Sequence, residues 1–466
     1  MADTRKPPRP ERVLSFEGGI TRRMPSSSGV CVALSGGIDS VVLLHVLQAW
    51  AGRGGVPLAA MHVHHGISPN ADAWARFCAG LCAAYGIPLQ IVRVDITPWR
   101  DQGIEAAARI ARRQALADCG ASHVALAHHR DDQAETVLLQ LLRGAGLPGL
   151  AAMGAHRVVR NPAMAVTNDM ANPLPVFVRP MLDVTRAQID AYARRHGLAW
   201  VHDESNDNTA LTRNYLRHHV VPLLVAREPA AIANLARSAR HLAQAADLLE
   251  TLGQLDLRGM QRRESLLLAR LLALADDRAT NAMRTWLRGE AVPAPSTVQM
   301  EEFLRQLRQA RPAANVAYES AGYALRRFRD RLYLLRHRDH LPIDATAEWN
   351  GRMRWSVPIL GGVLIMRRRV GVGMGDRWVQ AGRVFARLRT AGARIRLHPG
   401  GGSKTLKNVF QEAGVPPWER ERLPLVHINS ELAYVPGIGV DAAFRAARNE
   451  IGWTVAWRPH GVVSHG

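Results

Sequence analysis

A serine- and glycine-rich segment after an apolar run gives the strongest chemical signal in the sequence. Val30–Leu34 is typical of a β-strand, Ser35–Ser40 of a turn, and Val41–Trp50 of an apolar helix. A strand, a glycine turn and a helix N-terminus bring backbone N–H groups and the positive end of a helix dipole to one point, which favours phosphate. Asp39 can hold a metal ion or orient the turn. The pattern predicts a phosphate-binding loop, in preference to an ordinary strand-to-helix turn.

A second segment combines histidine with acidic residues at the end of a predicted strand, where α/β proteins bind ligands. If a helix begins at Asp131, then Asp131 and Glu135 lie on one helix face, with Asp132 beside them. Such carboxylates suit magnesium, which takes one or two carboxylates together with phosphate oxygens. They could equally complement the positive helix N-terminus, at about 0.3–1 kcal/mol each. The spacing alone leaves both interpretations open.

Other common sites are excluded by the sequence. No lysine follows a glycine, so a Gly-x-x-x-x-Gly-Lys phosphate loop is absent. Gly144–Gly149 matches Gly-x-Gly-x-x-Gly but follows a predicted helix instead of a strand, and we reject it as a dinucleotide fingerprint. The four cysteines contain no Cys-x-x-Cys pair, which argues against a thiolate zinc site or a redox dithiol and fits a reduced cytosolic setting.

The elements that position these residues are predicted from alternating apolar runs. Val30 to Trp200 alternates strands and amphipathic helices, which indicates a mostly parallel sheet. Helical periodicity follows, and the chain after Trp349 is rich in strands and glycine. The predicted fold class is α/β, with an N-terminal parallel-sheet domain, a helical middle domain and a small α+β C-terminal domain. The predicted divisions are a flexible tail (1–25), a catalytic domain (26–224), a middle domain (225–345) and a basic domain (349–466). The predicted strands of the first sheet are Val30–Leu34, Leu58–His64, Leu89–Val94 and Val124–His128.

Charge indicates the partner. The 466 residues carry 60 basic and 40 acidic side chains, a net charge of +20 that is typical of nucleic-acid binding. Only three basic residues are lysines, a bias that codon composition could explain, but residues 351–466 alone hold 18 basic and 7 acidic side chains. Composition bias would not concentrate the excess there. No apolar run approaches the ~18 residues of a membrane span, so we expect a cytoplasmic protein without a membrane partner.

These motifs together identify a family. The sequence resembles the PP-loop ATP pyrophosphatases and, within them, the tRNA(Ile)-lysidine synthetase family. One departure is Arg113, where the family usually has tyrosine. The segments that carry the resemblance are Ser35–Ser40, His62–Gly66, Gly103–Arg109, His129–Thr136, Arg143–Gly146, Arg179–Leu182, His202–Asn206, Arg213–Arg217, Ser403–Lys407 and Val415–Arg420.

The resemblance implies a PP-loop, Rossmann-like catalytic domain and a two-step reaction with ATP and Mg²⁺. ATP first adenylates the C2 oxygen of the wobble cytidine in tRNA(Ile) with a CAU anticodon, and pyrophosphate leaves. The ε-amino group of free L-lysine then displaces AMP and forms lysidine. Alternatives with the same loop are a tRNA thiolase, which the absence of a Cys-x-x-Cys pair disfavours, and an amidotransferase such as GMP or asparagine synthetase, which needs a nucleophilic cysteine in a glutaminase setting where none of the four cysteines lies. A non-catalytic RNA-binding protein with a relict nucleotide fold is a third.

The resemblance also assigns residues. The lysine amine must lose a proton, and Asp132 and Glu105 are the candidates for its base or its ammonium anchor. The predicted catalytic residues are Asp39, Asp132, Glu105, Arg109 and His129. The predicted nucleotide-binding residues are Ser35, Gly36, Gly37, Ile38, Asp39, Ser40 and His64. The predicted magnesium ligands are Asp39, Asp131, Asp132 and Glu135. The predicted tRNA-binding residues are Arg213, Arg217, Lys404, Lys407 and Arg420.

Overall fold

The computed structural model describes residues 16–25, 29–158, 174–262, 264–311, 314–336, 342, 344–389 and 392–459. The chain divides into two compact units, the first comprising Met1–Arg258 with Thr280–Ala294 and the second Gly259–Ala279 with Pro295–Gly466. The unit boundaries differ from the predicted domain boundaries, because the helix Ala231–Leu257 groups with the first unit.

The first unit is built on a six-stranded sheet with the order β3-β2-β1-β4-β6-β5. Its pairings are parallel except for the edge pair β5–β6. The parallel sheet predicted from the sequence is confirmed. Its strands are β1 (Val30–Ala33), β2 (Leu58–His64), β3 (Leu89–Arg93), β4 (His123–Ala125), β5 (His156–Val158) and β6 (Val176–Val178).

Helices connect these strands and cover the sheet. The apolar helix after β1 packs into the core, where its valine and leucine side chains are buried. None of the helices in the described ranges is long and apolar enough to cross a membrane. The helices of this unit up to Arg258 are α1 (Phe16–Thr21), α2 (Ile38–Gly54), α3 (Ala71–Ala84), α4 (Ile104–Ala117), α5 (Arg130–Leu142), α6 (Leu147–Leu150), α7 (Arg186–Arg195), α8 (Thr212–Tyr215), α9 (Val221–Arg227) and α10 (Ala231–Leu257).

The N-terminal segment is structured from Phe16 onward, whereas the sequence predicted a flexible tail up to residue 25. Ile20 is fully buried in the core of the first unit. The Phe16 ring stacks on Tyr192 of α7 with centroids 4.6 Å apart. Arg22 and Arg23 both pair with Asp183. These apolar and ionic contacts hold residues 16–24 in place; residues 1–15 lie outside the described ranges.

The middle of the chain is helical but also contributes an antiparallel sheet, with the order β7-β8-β11-β10-β9. The predicted helical periodicity is confirmed in the helices, and residues 323–336 form the β10–β11 hairpin. The helices are α11 (Leu268–Leu272), α12 (Asp276–Gly289) and α13 (Thr297–Gln309). The strands are β7 (Gln261–Arg262), β8 (Ser265–Leu267), β9 (Ala317–Glu319), β10 (Tyr323–Phe328) and β11 (Arg331–Arg336).

The C-terminal region forms three antiparallel sheets, the smallest of which pairs only β17 with β18, and the two larger sheets share one core. One sheet has the order β12-β16-β19-β20-β21 and the other β13-β14-β22-β15. Trp355, Leu364 and Trp453 from the second sheet join Val384 and Val426 from the first in this core. The strands are β12 (Thr346–Glu348), β13 (Arg354–Val357), β14 (Gly362–Val370), β15 (Met374–Gly375), β16 (Val384–Arg387), β17 (Arg394–Ile395), β18 (Lys404–Thr405), β19 (Leu425–Ile428), β20 (Glu431–Val435), β21 (Gly439–Val440) and β22 (Ile451–Pro459). The helices are α14 (Asp376–Ala381), α15 (Leu406–Glu412) and α16 (Pro417–Arg420).

Candidate active site

The loop between β1 and α2 is held closed by the hydroxyl of Ser40. Its Oγ accepts hydrogen bonds from the backbone N–H groups of Ser35 and Gly36, both at 3.2 Å, and donates to the carbonyl of Gly37 at 2.9 Å. The Nδ1 atom of His62 on β2 lies 2.9 Å from the carbonyl oxygen of Leu34. The Ser40 bonds fix the path of the loop internally, and the His62 contact fixes it against β2.

Glycine is required at the second position of this loop. Gly36 has a φ angle of +88°, and a Cβ there would lie 2.9 Å from Val201 Cγ2 and 3.2 Å from Cys78 Sγ. Gly37 is the N-cap of α2 and provides no side-chain cap for the first helical N–H groups. Those N–H groups and the positive end of the helix dipole therefore form a site suited to a phosphate group.

A buried histidine stands beside this loop, at the start of α5. His129 Nε2 lies 3.8 Å from Asp39 Oδ1 and 3.5 Å from Asp132 Oδ2, and its Nδ1 lies 3.6 Å from Asp131 Oδ2. Burial alone lowers the pKa of His129, but the nearby carboxylates of Asp131, Asp132 and Asp39 outweigh it and raise the pKa above its ordinary value. The site therefore favours a cationic imidazolium, which is suited to a phosphate ligand.

Burial and neighbouring positive charges have opposite effects on the pKa of Asp39. Burial raises its pKa above the ordinary value, while His129 and Arg186 act in the opposite direction. Arg186 Nη1 lies 3.2 Å from Asp39 Oδ1 and 3.1 Å from Oδ2. The backbone N–H of Arg186 also donates to Asp131 at 3.0 Å. The start of α7 thus links the phosphate-binding loop to the start of α5.

Two arginines that follow the six-stranded sheet in the chain form hydrogen bonds with two carboxylates of α5. Arg213 donates to Glu135 at 2.8 Å and to Asp132 at 2.7 Å. Arg217 donates to both oxygens of Glu135, at 2.6 and 3.0 Å, and lies 3.3 Å from Asp132. The Glu135 side chain is 4% exposed, and the arginines are 26% and 32% exposed. In this arrangement their charge is directed to α5, whereas the sequence predicted that they contact tRNA.

The predicted magnesium ligands do not form a metal site here. Across the described ranges, no group of three or more His, Cys, Asp or Glu side chains has an arrangement suited to a metal ion. Arginines bind both oxygens of Glu135 and one oxygen of Asp132. The other oxygen of Asp132 accepts a hydrogen bond from the backbone N–H of His129 at 3.0 Å. Arg186 pairs with Asp39. Three of the four predicted ligands, Asp39, Asp132 and Glu135, are paired with arginine side chains, and the set does not fit magnesium in this form.

Two further histidines at the same end of the sheet have lowered pKa values, because they are buried and lie near arginines. Burial, with the positive charges of Arg179 and Arg112, lowers the pKa of His128 to about 3. Burial and Arg112 lower the pKa of His65 to about 4. Arg179 Nε donates to His128 Nδ1 at 3.3 Å. This part of the site is positive and suits an anionic or electron-rich ligand.

The remaining predicted residues lie in different settings. His64 is buried at the end of β2, with Nε2 3.1 Å from Asp72 Oδ1. Glu105 is exposed in the first turn of α4, and no residue described by the structure pairs with it; Arg109 is exposed one turn later. Lys404 pairs with Glu412 at 2.9 Å, which compensates its charge, and Arg420 donates a hydrogen bond to the Val415 carbonyl. Lys407 is exposed.

Two residues of the site were missed from the sequence. His62 supports the loop from β2, and Arg186 pairs with Asp39. His62 lies in the motif His62–Gly66, and Arg186 directly follows Thr185, a helix start that the sequence indicates. Nothing in the local spacing relates Arg186 to Asp39, 147 residues earlier.

The parallel sheet, the loop after β1 and the helix behind it define a PP-loop protein, a class that uses ATP. The family model described as a PP-loop domain matches residues 16–224. Models described as the TilS substrate binding domain and the TilS substrate C-terminal domain match residues 266–333 and 384–457.

The chain belongs to the tRNA(Ile)-lysidine synthase family. It is 38% identical to tRNA(Ile)-lysidine synthase of Burkholderia pseudomallei, over 97% of this chain and 98% of the relative. It is 42% identical to that of Ralstonia nicotianae, over 92% of each chain, and 40% identical to that of Azoarcus sp., over 94% of each chain. The family resemblance seen in the sequence motifs is confirmed, and the thiolase and amidotransferase alternatives are not favoured.

Proposed function

We propose that this protein forms lysidine in tRNA(Ile) with a CAU anticodon, joining L-lysine to carbon 2 of the wobble cytidine at the expense of ATP. The observation that carries the proposal is similarity to tRNA(Ile)-lysidine synthases over nearly the whole chain, including the regions beyond the PP-loop domain. The protein is a carbon–nitrogen ligase, and its substrates are ATP, tRNA and free L-lysine.

In the first step the C2 oxygen of cytidine attacks the α-phosphate of ATP, the bond to the β-phosphate breaks, and pyrophosphate leaves. The N–H groups at the start of α2 hold the pyrophosphate as its charge develops. His129, whose pKa is raised by the surrounding carboxylates, adds positive charge beside the loop. Asp39 and Arg186 orient the loop and its helix.

In the second step the lysine amine attacks C2, the C–O bond breaks, and AMP leaves with the oxygen. The amine must be deprotonated before it attacks. Of the two carboxylates that we consider for its base or ammonium anchor, Asp132 lies in the His129 cluster and Glu105 lies exposed on α4. This placement favours Asp132. For Asp132 to contact the amine, Arg213 must yield one of its hydrogen bonds.

Magnesium accompanies the nucleotide in this proposal, but we do not assign it to Asp131, Asp132 and Glu135. The arginine pairs of Asp132 and Glu135 oppose a cation at these carboxylates. Magnesium binds phosphate oxygens readily and keeps several of its waters, so ATP itself can carry the ion. We place the reaction in the cytoplasm, where a reduced setting suits four free cysteines.

The two steps can be separated experimentally. CAU-anticodon tRNA(Ile) is incubated with the protein and ATP labelled at the α-phosphate, without lysine, and the tRNA is then isolated. We expect label on the tRNA, and its release as AMP when lysine is added. An Asp39→Asn variant serves as the control with a damaged loop. Label that never reaches tRNA, or that lysine does not release, would contradict the proposal.

A further inference from the structure

The segment between α7 and α8 supports the phosphate-binding loop. The backbone N–H of Val201 donates a hydrogen bond to the carbonyl of Gly36 at 3.0 Å. The two residues are also in close contact, because a Cβ on Gly36 would lie 2.9 Å from Val201 Cγ2. We call residues 201–208 the support segment. Its regular structure is a single 3-10 turn, Glu204–Asp207, so its position depends on contacts from other elements.

Asn214 of α8 provides a buried contact to the support segment. Its side-chain Nδ2 donates hydrogen bonds to the carbonyl of Ser205 at 2.8 Å and to the carbonyl of Asn208 at 3.0 Å. A side-chain amide nitrogen carries two N–H donors, so these two carbonyls use both of them. Asn214 is 7% exposed. A second contact, in which His218 Nε2 lies 3.1 Å from the Asn206 carbonyl oxygen, is exposed to solvent.

The residues that flank Asn214 contact a different element. Arg213 and Arg217 pair with Asp132 and Glu135 of α5. Successive residues of a helix are rotated by about 100°, so Asn214 points away from the direction of Arg213. The same short stretch of chain therefore contacts the support segment through Asn214 and α5 through the two arginines.

These contacts form a closed ring around the site. At the start of α5, His129 lies 3.5 Å from Asp132 and 3.8 Å from Asp39, which belongs to the phosphate-binding loop. The ring therefore runs from Gly36 through the support segment and Asn214 to α8, then to α5, and returns to the loop at Asp39. Asn214 is the buried link between the support segment and α8.

We infer that Asn214 is a positioning residue for the adenylation step, an inference that rests on the proposed function and deepens it. Both N–H groups of Asn214 are used by carbonyls, so it acts through the support segment and not on ATP. Without these donors the support segment gains freedom, and the Gly36 carbonyl loses its fixed partner. The N–H groups at the start of α2 are then less well placed for the charge that develops on the leaving pyrophosphate, and the rate falls.

The kinetic test uses a graded series at Asn214 with a matched control. Asn214→Asp keeps the shape and loses both N–H donors, whereas Asn214→Ser keeps one shorter donor. Asn281→Asp is the control, because Asn281 donates to the Leu249 carbonyl at 2.7 Å and joins α12 to α10. Adenylation of tRNA without lysine is measured over a range of ATP concentrations, after urea denaturation establishes that each variant is folded.

We expect kcat to fall about tenfold or more in Asn214→Asp and by less in Asn214→Ser, since a small misplacement of binding groups is costly in the transition state. The KM for ATP should stay within about threefold, because the lost interactions are strongest in the transition state. The control should change neither value. If Asn214→Asp does not fold, the serine variant decides, and a wild-type kcat in the serine variant then overturns the inference.

Hydrogen exchange tests the coupling without any substrate. Backbone amide exchange is followed by mass spectrometry in peptides that cover residues 35–40 and 201–208. We expect both peptides to exchange faster in the Asn214 variants, and neither in the control. Faster exchange in residues 201–208 alone, or a lower urea midpoint with unchanged kcat, would show a merely structural contact and overturn the inference. Absent adenylation by the wild type refutes only the proposed function, and adenylation with unchanged exchange in residues 35–40 refutes only the coupling.

Discussion

Arg217 forms a bidentate pair with Glu135, donating hydrogen bonds from Nε to Oε1 at 2.6 Å and from Nη2 to Oε2 at 3.0 Å. The sequence motifs had assigned these residues to different ligands, tRNA for the arginine and magnesium for the carboxylate. In the structure they bind each other, together with Arg213 and Asp132. The cluster joins the residues after the catalytic sheet to the helix that carries His129, and its first role is to position α5.

Replacing Glu135 should therefore cost stability. Glu135→Gln leaves two partly buried arginines without their strongest partner, and we expect the free energy of unfolding to fall by about 1.5–3 kcal/mol. Glu412→Gln, which breaks the exposed pair with Lys404, should cost about 0–1 kcal/mol. Urea denaturation of both variants measures the difference. Equal losses would show that the Glu135 cluster is no stronger than a surface ion pair.

Substitutions in the loop should separate its two glycines. Gly36→Ala places a Cβ 2.9 Å from Val201 at a φ angle of +88°, whereas a Cβ on Gly37 meets only Ser35 Oγ at 3.6 Å. A left-handed conformation costs a non-glycine residue about 1–2 kcal/mol before any clash. We expect Gly36→Ala to reduce tRNA adenylation by tenfold or more, and Gly37→Ala to reduce it less. A larger effect at Gly37 would contradict this expectation and would indicate that contact with the ligand, and not the conformation of the loop, is what excludes a side chain.

The pH dependence of stability should report the charge on His129. Its pKa is raised in the folded protein, above the value of about 6.5 in an unfolded chain. Protonation therefore stabilises the fold, fully at pH values below the unfolded pKa, and the contribution is lost as pH rises through the raised folded pKa. His129→Asn should be less stable than wild type near pH 6, with the gap closing at higher pH. A gap that widens as pH rises would contradict a cationic His129.

Lys404 and Lys407 should differ in their effect on tRNA binding. Both were predicted to contact phosphate, but the charge of Lys404 is already paired with Glu412. Lys407→Ala should lower the salt slope by roughly 0.7–0.9 if it meets one phosphate, and Lys404→Ala should lower it by less. Equal decreases would mean that tRNA displaces Glu412 from Lys404.

The elements of the first sheet were largely predictable because they are local patterns. The strand Leu58–His64 was predicted residue for residue, since its apolar run begins after Pro57 and ends before Gly66. The predicted strand Val124–His128 was too long. The observed strand β4 ends at Ala125, because its parallel pairing with the three-residue strand β6 ends there. The loop and His129 meet because β1 and β4 are neighbours in the sheet and both end at the same edge.

The charge pairing of the site was not predictable in the same way. An acidic residue near a helix start has the same sequence signature whether it meets a metal ion, a lysine or an arginine. Only the folded chain brings Arg186 to Asp39 and Arg213 to Asp132.

The central claim is tested most directly by nucleoside analysis of the product. CAU-anticodon tRNA(Ile) is incubated with the protein, ATP and L-lysine labelled in its carbon skeleton, digested to nucleosides, and analysed by mass spectrometry. We predict one labelled nucleoside per tRNA, with the mass of lysidine, at the wobble position, and one AMP released for each. Unmodified cytidine at that position, or a sulfur-containing nucleoside in its place, would contradict the account.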